Sequence, residues 1–154
     1  MTPAVLAARK AGIEFELLSY AHDPSAESYG LEAAEALGLA PALVYKTLVV
    51  SADGALAVAL VPVDQSLDLK ALADALGARR AELATADAAQ RATGYVLGGI
   101  SPLGQRRRLP TVVHADALAL SRIHVSAGRR GLELALDPAD LVRLCGATTA
   151  AIAR

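Results

Sequence analysis

The chain is 154 residues long with a mass of 15.8 kDa, enough for one domain whose core needs no disulfide or metal staple. Hydrophobic residues make up 54% and charged residues 20%, which excludes intrinsic disorder, and a net charge of −1 with a pI near 6.3 excludes an overall basic coat for nucleic acid. The single cysteine, Cys145, excludes an intramolecular disulfide and every two-thiol metal motif. The opening MTPAVLAARK lacks the charged-then-apolar layout of a secretion signal. The longest apolar stretch, Ala55 to Val63, is too short to span a bilayer, so a cytoplasmic protein without a membrane partner is expected.

Thr2-Pro3 opens a helix, with a capping hydroxyl before the residue best suited to a first turn, and Gly12 closes it. Ile13 to Leu17 alternates apolar and polar as a one-sided strand does, until His22-Asp23-Pro24 breaks the pattern. A second helix fits Leu31 to Leu37, closed by Gly38. Tyr45 to Ser51 and Ala55 to Val61 are β-rich runs joined through Ala52-Asp53-Gly54, a hairpin signal, so the sheet is not purely parallel. Ser66 is placed to cap a helix over Leu67 to Leu76, stopped by Gly77. A short strand over Arg80 to Leu83 and a helix from the Thr85 cap to about Thr93 follow.

Gly94 to Gln105 then interrupts apolar residues with four glycines and a proline, the composition of a loop whose backbone approaches something closely. Strands fit Thr111 to His114, Ile123 to Ser126 and Leu132 to Leu136, and a last helix runs from Asp137-Pro138 to near Gly146. No repeat or linker interrupts residues 1–154, and mixed helices and strands around one core make an α+β or mixed α/β domain.

Chemistry is sparsely marked. The three histidines, His22, His114 and His124, have no zinc-ligand spacing, and no Walker loop, dinucleotide fingerprint or nucleophile elbow is present, so neither a metal nor a cofactor is expected. His114 and His124 read as structural, and Cys145 as helix packing. Charge is unevenly spread: residues 1–99 carry 7 basic and 12 acidic side chains, residues 100–154 carry 8 and 4, with the excess in Arg106-Arg107-Arg108 and Arg129-Arg130. Such clusters are ordinarily a solvated face, but they also attract phosphates. Lysine is rare against 12 arginines, and Lys46 opens the apolar run Thr47-Leu48-Val49-Val50. On pattern alone it is an edge-strand lysine with a solvated tip. The glycine-rich amides could hold an anion or a developing oxyanion. Pattern and composition go no further and do not yield a reaction.

Longer stretches say more. Val44-Tyr45-Lys46-Thr47-Leu48 is followed by Thr93-Gly94-Tyr95, by Gly98-Gly99-Ile100-Ser101-Pro102-Leu103-Gly104-Gln105, and by Val125-Ser126-Ala127-Gly128-Arg129-Arg130-Gly131-Leu132. In this order they resemble the YbaK-type aminoacyl-tRNA deacylases, as do Met1 to Val5 and Tyr20-Ala21-His22-Asp23-Pro24. The resemblance is collinear over nearly the whole chain, and it is nearest to the members that clear prolyl-tRNA mischarged with cysteine.

The resemblance implies a single α+β domain, its mixed and partly barrel-like sheet surrounded by helices, with a pocket for the aminoacylated 3′ end of tRNA. It implies a functional lysine at Lys46 and substrate-facing backbone at Gly98 and Gly99. Tyr20, Tyr29, Thr47, Ser126 and Glu133 fall on pocket positions. Tyr20 and Ser126 would orient the amino acid, and Glu133 would bind its ammonium or keep Lys46 in place. Arg106 to Arg108, with Arg129 and Arg130, would meet the tRNA backbone. Tyr29 stands where near relatives carry Phe, and Glu133 where they carry Asp. Implied too are ester cleavage by the substrate's own thiol and a transient complex with prolyl-tRNA synthetase. The alternatives are water-driven deacylation of alanyl-, seryl- or other small aminoacyl-tRNAs, and a non-catalytic module that binds tRNA or a synthetase.

Overall fold

In the computed structural model, which describes all 154 residues, the elements run α1 (Pro3–Ala11), β1 (Phe15–Ser19), α2 (Tyr29–Leu37), β2 (Tyr45–Ala52), β3 (Ala55–Pro62), α3 (Leu69–Leu76), β4 (Ala81–Leu83), α4 (Ala86–Thr93), β5 (Thr111–His114), β6 (Ile123–Arg129), β7 (Leu132–Leu136), α5 (Pro138–Cys145) and β8 (Thr148–Ala150). Each helix starts on a side chain that accepts an otherwise orphaned amide: Thr2, Ser28, Asp68, Thr85 and Asp137. Two helix starts depart from expectation. α2 begins at Tyr29, two residues before Leu31, on the Ser28 cap. Asp68, not Ser66, caps α3, because the Ser66 main chain is bonded in both directions to Arg154 at 2.9 Å.

The strands form two sheets. β1, β7 and β6 make an antiparallel three-stranded sheet in the order β1-β7-β6. The other has the order β4-β2-β3-β5-β8, antiparallel from β4 to β3 and parallel from β3 to β8. The α+β expectation holds, but the sheets do not close into a barrel. No helix is long and apolar enough to cross a membrane.

The main core lies between the sheets. Tyr45, Val49, Val58 and Leu60 meet Ile123, Val125, Leu134 and Leu136, and α1, α4 and α5 add Ala4, Val5, Ala8, Ala89, Ala92 and Leu141. The far face of the larger sheet, through Val50, Ala59, Val61 and Val112, packs on Leu72 of α3 and on Ile152. With Tyr45 and Tyr95 the only buried aromatics, the interior closes on alanine and small aliphatics, which lets backbones approach.

β8 has no counterpart in the sequence reading. Its order comes from a distant group: His114 Nδ1 accepts the amides of Ile152 and Ala153 at 3.1 and 3.2 Å. That requires the proton on Nε2, which lies 3.2 Å from Asp116. His124 likewise sits on the Leu43 carbonyl at 3.2 Å, and burial pushes its pKa down. Both histidines are structural, as expected.

Candidate active site

The register of β2 creates the opening. β3 pairs with it along its whole length, from Tyr45↔Pro62 to Ala52↔Ala55, but on its other side β4 covers only Val50 to Ala52. Between the isolated parallel bridge of Val44 to His124 and the start of β4 pairing at Val50, the stretch therefore keeps a free edge. Val63 donates to the Val44 carbonyl, whereas the Val49 carbonyl accepts from Ala84 on the β4 side. By ladder alternation the main-chain groups of Thr47 point the same way as those of Val49, toward the uncovered edge.

A cavity of about 330 Å³ lies along that edge, within the range of roughly 300–1,000 Å³ typical of small-molecule sites. Its walls include Lys46 and Thr47 of β2, Tyr29 at the start of α2, Gly98 of the glycine-rich loop, Ser126 of β6 and Glu133 of β7. Because it wraps an edge, it takes residues from both faces of β2, Lys46 from one and Thr47 from the other.

Lys46 is half-buried and has no carboxylate within ion-pair distance. Burial pulls its ammonium below the ordinary lysine range, with Asp64 partly opposing. The edge position that pattern alone suggests holds, and there the side chain borders the cavity. Ser126 and Glu133 are direct partners on adjacent strands and so share a face. Glu133 is only 6% exposed, and burial raises its carboxyl to about 8. Its Oε2 and the Thr47 hydroxyl are the buried side-chain oxygens without a partner in the protein. Such atoms are costly to leave bare, and both border the same cavity. Glu133 and Lys46 do not pair, so the expectation that Glu133 keeps the lysine in place is not met.

The glycines divide in role. Gly98, at φ +82°, is the left-handed third residue of a turn closed by Gly99 N–H donating to the Val96 carbonyl at 3.0 Å. The Gly99 amide is thus spent, and Gly99 does not line the cavity. A Cβ there would stand 2.7 Å from Arg129 Cα, so this glycine seats the loop on the β6–β7 hairpin. Gly98 N–H has no partner. A Cβ on Gly98 would stand 2.8 Å from the Tyr29 ring and 2.9 Å from Arg130 Nε.

Tyr20 is not among the residues that line this cavity. Its amide donates to the Gly131 carbonyl at 3.0 Å, and burial, helped by Glu133 and Glu32, raises the pKa of its hydroxyl. The basic clusters are separate. Arg130 reaches the cavity rim and donates from Nε to the Leu97 carbonyl at 2.8 Å. Arg107 and Arg108 border a different cavity, of about 220 Å³, beside Cys145, and Arg106 packs on Gly94. Arg129, exposed, ends β6.

Glu27, Ser28, Leu97 and Ile100 also line the site. Of these, the Ser28 cap was signalled in the sequence by a hydroxyl ahead of the Leu31-to-Leu37 pattern. Glu27 carried no signal.

Residues 23–144 match the aminoacyl-tRNA editing domain model. The chain belongs to that family, and its activity class is aminoacyl-tRNA deacylation. It is 39% identical over 112 residues to a protein of Enterococcus faecalis named as the Cys-tRNA(Pro)/Cys-tRNA(Cys) deacylase EbsC, covering 72% of this chain and 68% of that one. It is 35% identical over 103 residues to the proline–tRNA ligase of Acidithiobacillus ferrooxidans, 67% of this chain but only 18% of the ligase. Its fold matches a solved structure described as a trans-editing enzyme for prolyl tRNA synthetase, with a TM-score of 0.83 at 24% identity, over 100% of this chain and 99% of that one.

Proposed function

We propose that this protein acts in trans on tRNA(Pro) mischarged with cysteine, cleaving the aminoacyl ester with the substrate's own thiol as nucleophile. The observation that carries the reading is one cavity lined by an unpaired ammonium, a glycine whose amide has no partner and a bare buried carboxyl, with no cysteine in the wall and no histidine there to activate the hydroxyls of Ser28, Thr47 and Ser126. Lys46 holds a phosphate or ester oxygen of the terminal nucleotide. Gly98 N–H faces the carbonyl oxygen as it gains charge. Glu133, ionising as the substrate's α-ammonium arrives, fixes the amino group. Ser126 and Thr47 orient the short side chain, with Tyr20 supporting Glu133.

The thiol sulfur then attacks the carbonyl carbon. A carbon–sulfur bond forms, the tetrahedral intermediate collapses, and the ester C–O bond breaks. The thiol proton ends on the ribose hydroxyl, and the products are uncharged tRNA and a cyclic thiolactone. No water is consumed. Tethering gives the thiol an effective concentration far above that of a free nucleophile, worth up to about 7–11 kcal/mol in well-oriented cases, so positioning and charge stabilisation suffice.

Cys-tRNA(Pro) is expected to react much faster than Ser-tRNA(Pro), with the thiolactone or its derivative identified by mass spectrometry. Equal rates and only free amino acid would instead establish attack by water on small aminoacyl groups. The exposed arginines, Arg106 and Arg107 above all, contribute sequence-independent contacts to the tRNA backbone, so apparent affinity falls as salt rises. Selection of tRNA(Pro) is supplied by a transient complex with prolyl-tRNA synthetase in the cytoplasm, a reading supported by the relation to a segment of proline–tRNA ligase.

A further inference from the structure

We infer, given that the substrate is an aminoacyl-tRNA as proposed above, that Arg130 carries the unpaired nucleobase next to the ester-bearing ribose, stacked on the guanidinium plane. The guanidinium carbon of Arg130 lies 4.8 Å from the centre of the Tyr29 ring, and its Nε is held by the Leu97 carbonyl at 2.8 Å. Arg130 and Gly131 form the two-residue turn between β6 and β7, so the backbone beneath the side chain is fixed as well. Arg130 is nonetheless exposed, and no carboxylate pairs with it. A planar cation is thus held against a tyrosine at the mouth of the cavity while remaining exposed to solvent.

The surroundings favour a base over a phosphate as the occupant of that position. Leu97 and Val96 beside it are 39% and 55% exposed, an apolar rim that a base can cover and a phosphate cannot. The Tyr29 ring is already engaged, by Arg130 over its face and by His22 at 5.9 Å and a 43° tilt. Arg130 covers part of that ring and itself faces solvent. Guanidinium planes are weakly hydrated and stack on unpaired bases, whereas a lysine ammonium offers charge without a plane. The absence of a Cβ at Gly98, which would strike both Tyr29 and Arg130, is what lets these layers close.

Two acceptor-stem minihelices test this, one with its natural 3′-terminal base and one with that nucleotide abasic. Binding of both, uncharged, is measured to wild type, Arg130→Lys and Arg130→Gln, and cleavage of both, aminoacylated, is measured alongside. The wild type is expected to prefer the base-bearing RNA by roughly 5–150-fold in Kd and KM, the range corresponding to a stacking contribution of about 1–3 kcal/mol. Arg130→Lys, with its charge kept, should bind both RNAs equally. A preference preserved in Arg130→Lys, or absent from the wild type, overturns the inference. Base-dependent binding without cleavage of either minihelix keeps the inference and removes the deacylase reading. Cleavage without base dependence does the reverse.

Discussion

Lys46→Ala is expected to lower kcat/KM for aminoacyl-tRNA cleavage by roughly 10²–10³-fold, the usual cost of removing one donor aimed at developing charge. The fold should be unaffected or slightly firmer. Lys46 makes no ion pair, and burial already disfavours its charged form, so alanine removes a cost and no structural contact. Lys46→Arg should not restore the wild-type rate, because a planar fork does not fit where a compact ammonium does. Deacylation and thermal unfolding measured together decide the matter. Unchanged cleavage at saturating substrate removes Lys46 from the mechanism, and a collapsed Tm makes it a structural residue.

Glu133→Gln should move stability and activity in opposite directions. The Glu133 carboxyl titrates at about 8 in the folded protein against an ordinary value of 4.5. Between those values the folded chain holds a proton that the unfolded chain has released. Stability therefore falls as pH rises from about 4.5 to about 8, and glutamine abolishes that loss. At about 1.4 kcal/mol per pKa unit, the gain at pH 8 to 9 is on the order of 4 kcal/mol, and it vanishes near pH 4. Activity should fall roughly 10- to 100-fold, since an amide cannot supply the charge that leaving a buried charge partner unpaired would cost. For the wild type, kcat/KM corrected for spontaneous hydrolysis should climb with pH toward about 8, where the Glu133 carboxyl ionises and the substrate thiol also gives up its proton, and the variant should keep only the thiol's share of that rise. A destabilised Glu133→Gln protein with normal kinetics would make the carboxyl an ordinary part of the wall. Stability gained where activity is lost is the mark of a group kept for function.

How far the sequence could be read follows from the range of the forces involved. Helix ends were legible because caps are local: Thr2-Pro3, Thr85 and Asp137-Pro138 each act within a turn. The β2–β3 hairpin was legible for the same reason, with Asp53 at φ 51° and Gly54 at φ 84° in the turn. β8 was not. Thr148 to Ala150 carries no apolar alternation, and it is ordered by a parallel partner and by a histidine more than thirty residues away. β1 runs from Phe15 to Ser19 instead of starting at Ile13, because its limits are set by pairing with β7 from Leu136 to Leu132.

The site was legible only through its longer motifs. In isolation Leu132-Glu133-Leu134 reads as alternation with a solvated acid, yet β7 is the middle strand of its sheet and every residue of it is buried. Lys46 borders a cavity because β4 stops short of it, a fact of register that no local pattern encodes. The separation of Gly98 from Gly99, one amide free and the other closing a turn, was likewise invisible among adjacent glycines.

The most direct measurement is single-turnover deacylation of Cys-tRNA(Pro), Ala-tRNA(Pro) and Cys-tRNA(Cys) by the purified protein, with wild type and Lys46→Ala side by side. Rapid loss of cysteine from tRNA(Pro), slow loss of alanine, and a Lys46→Ala rate near the spontaneous one is the predicted result. Tight binding of the three RNAs with no release above background would contradict it and leave a binding module.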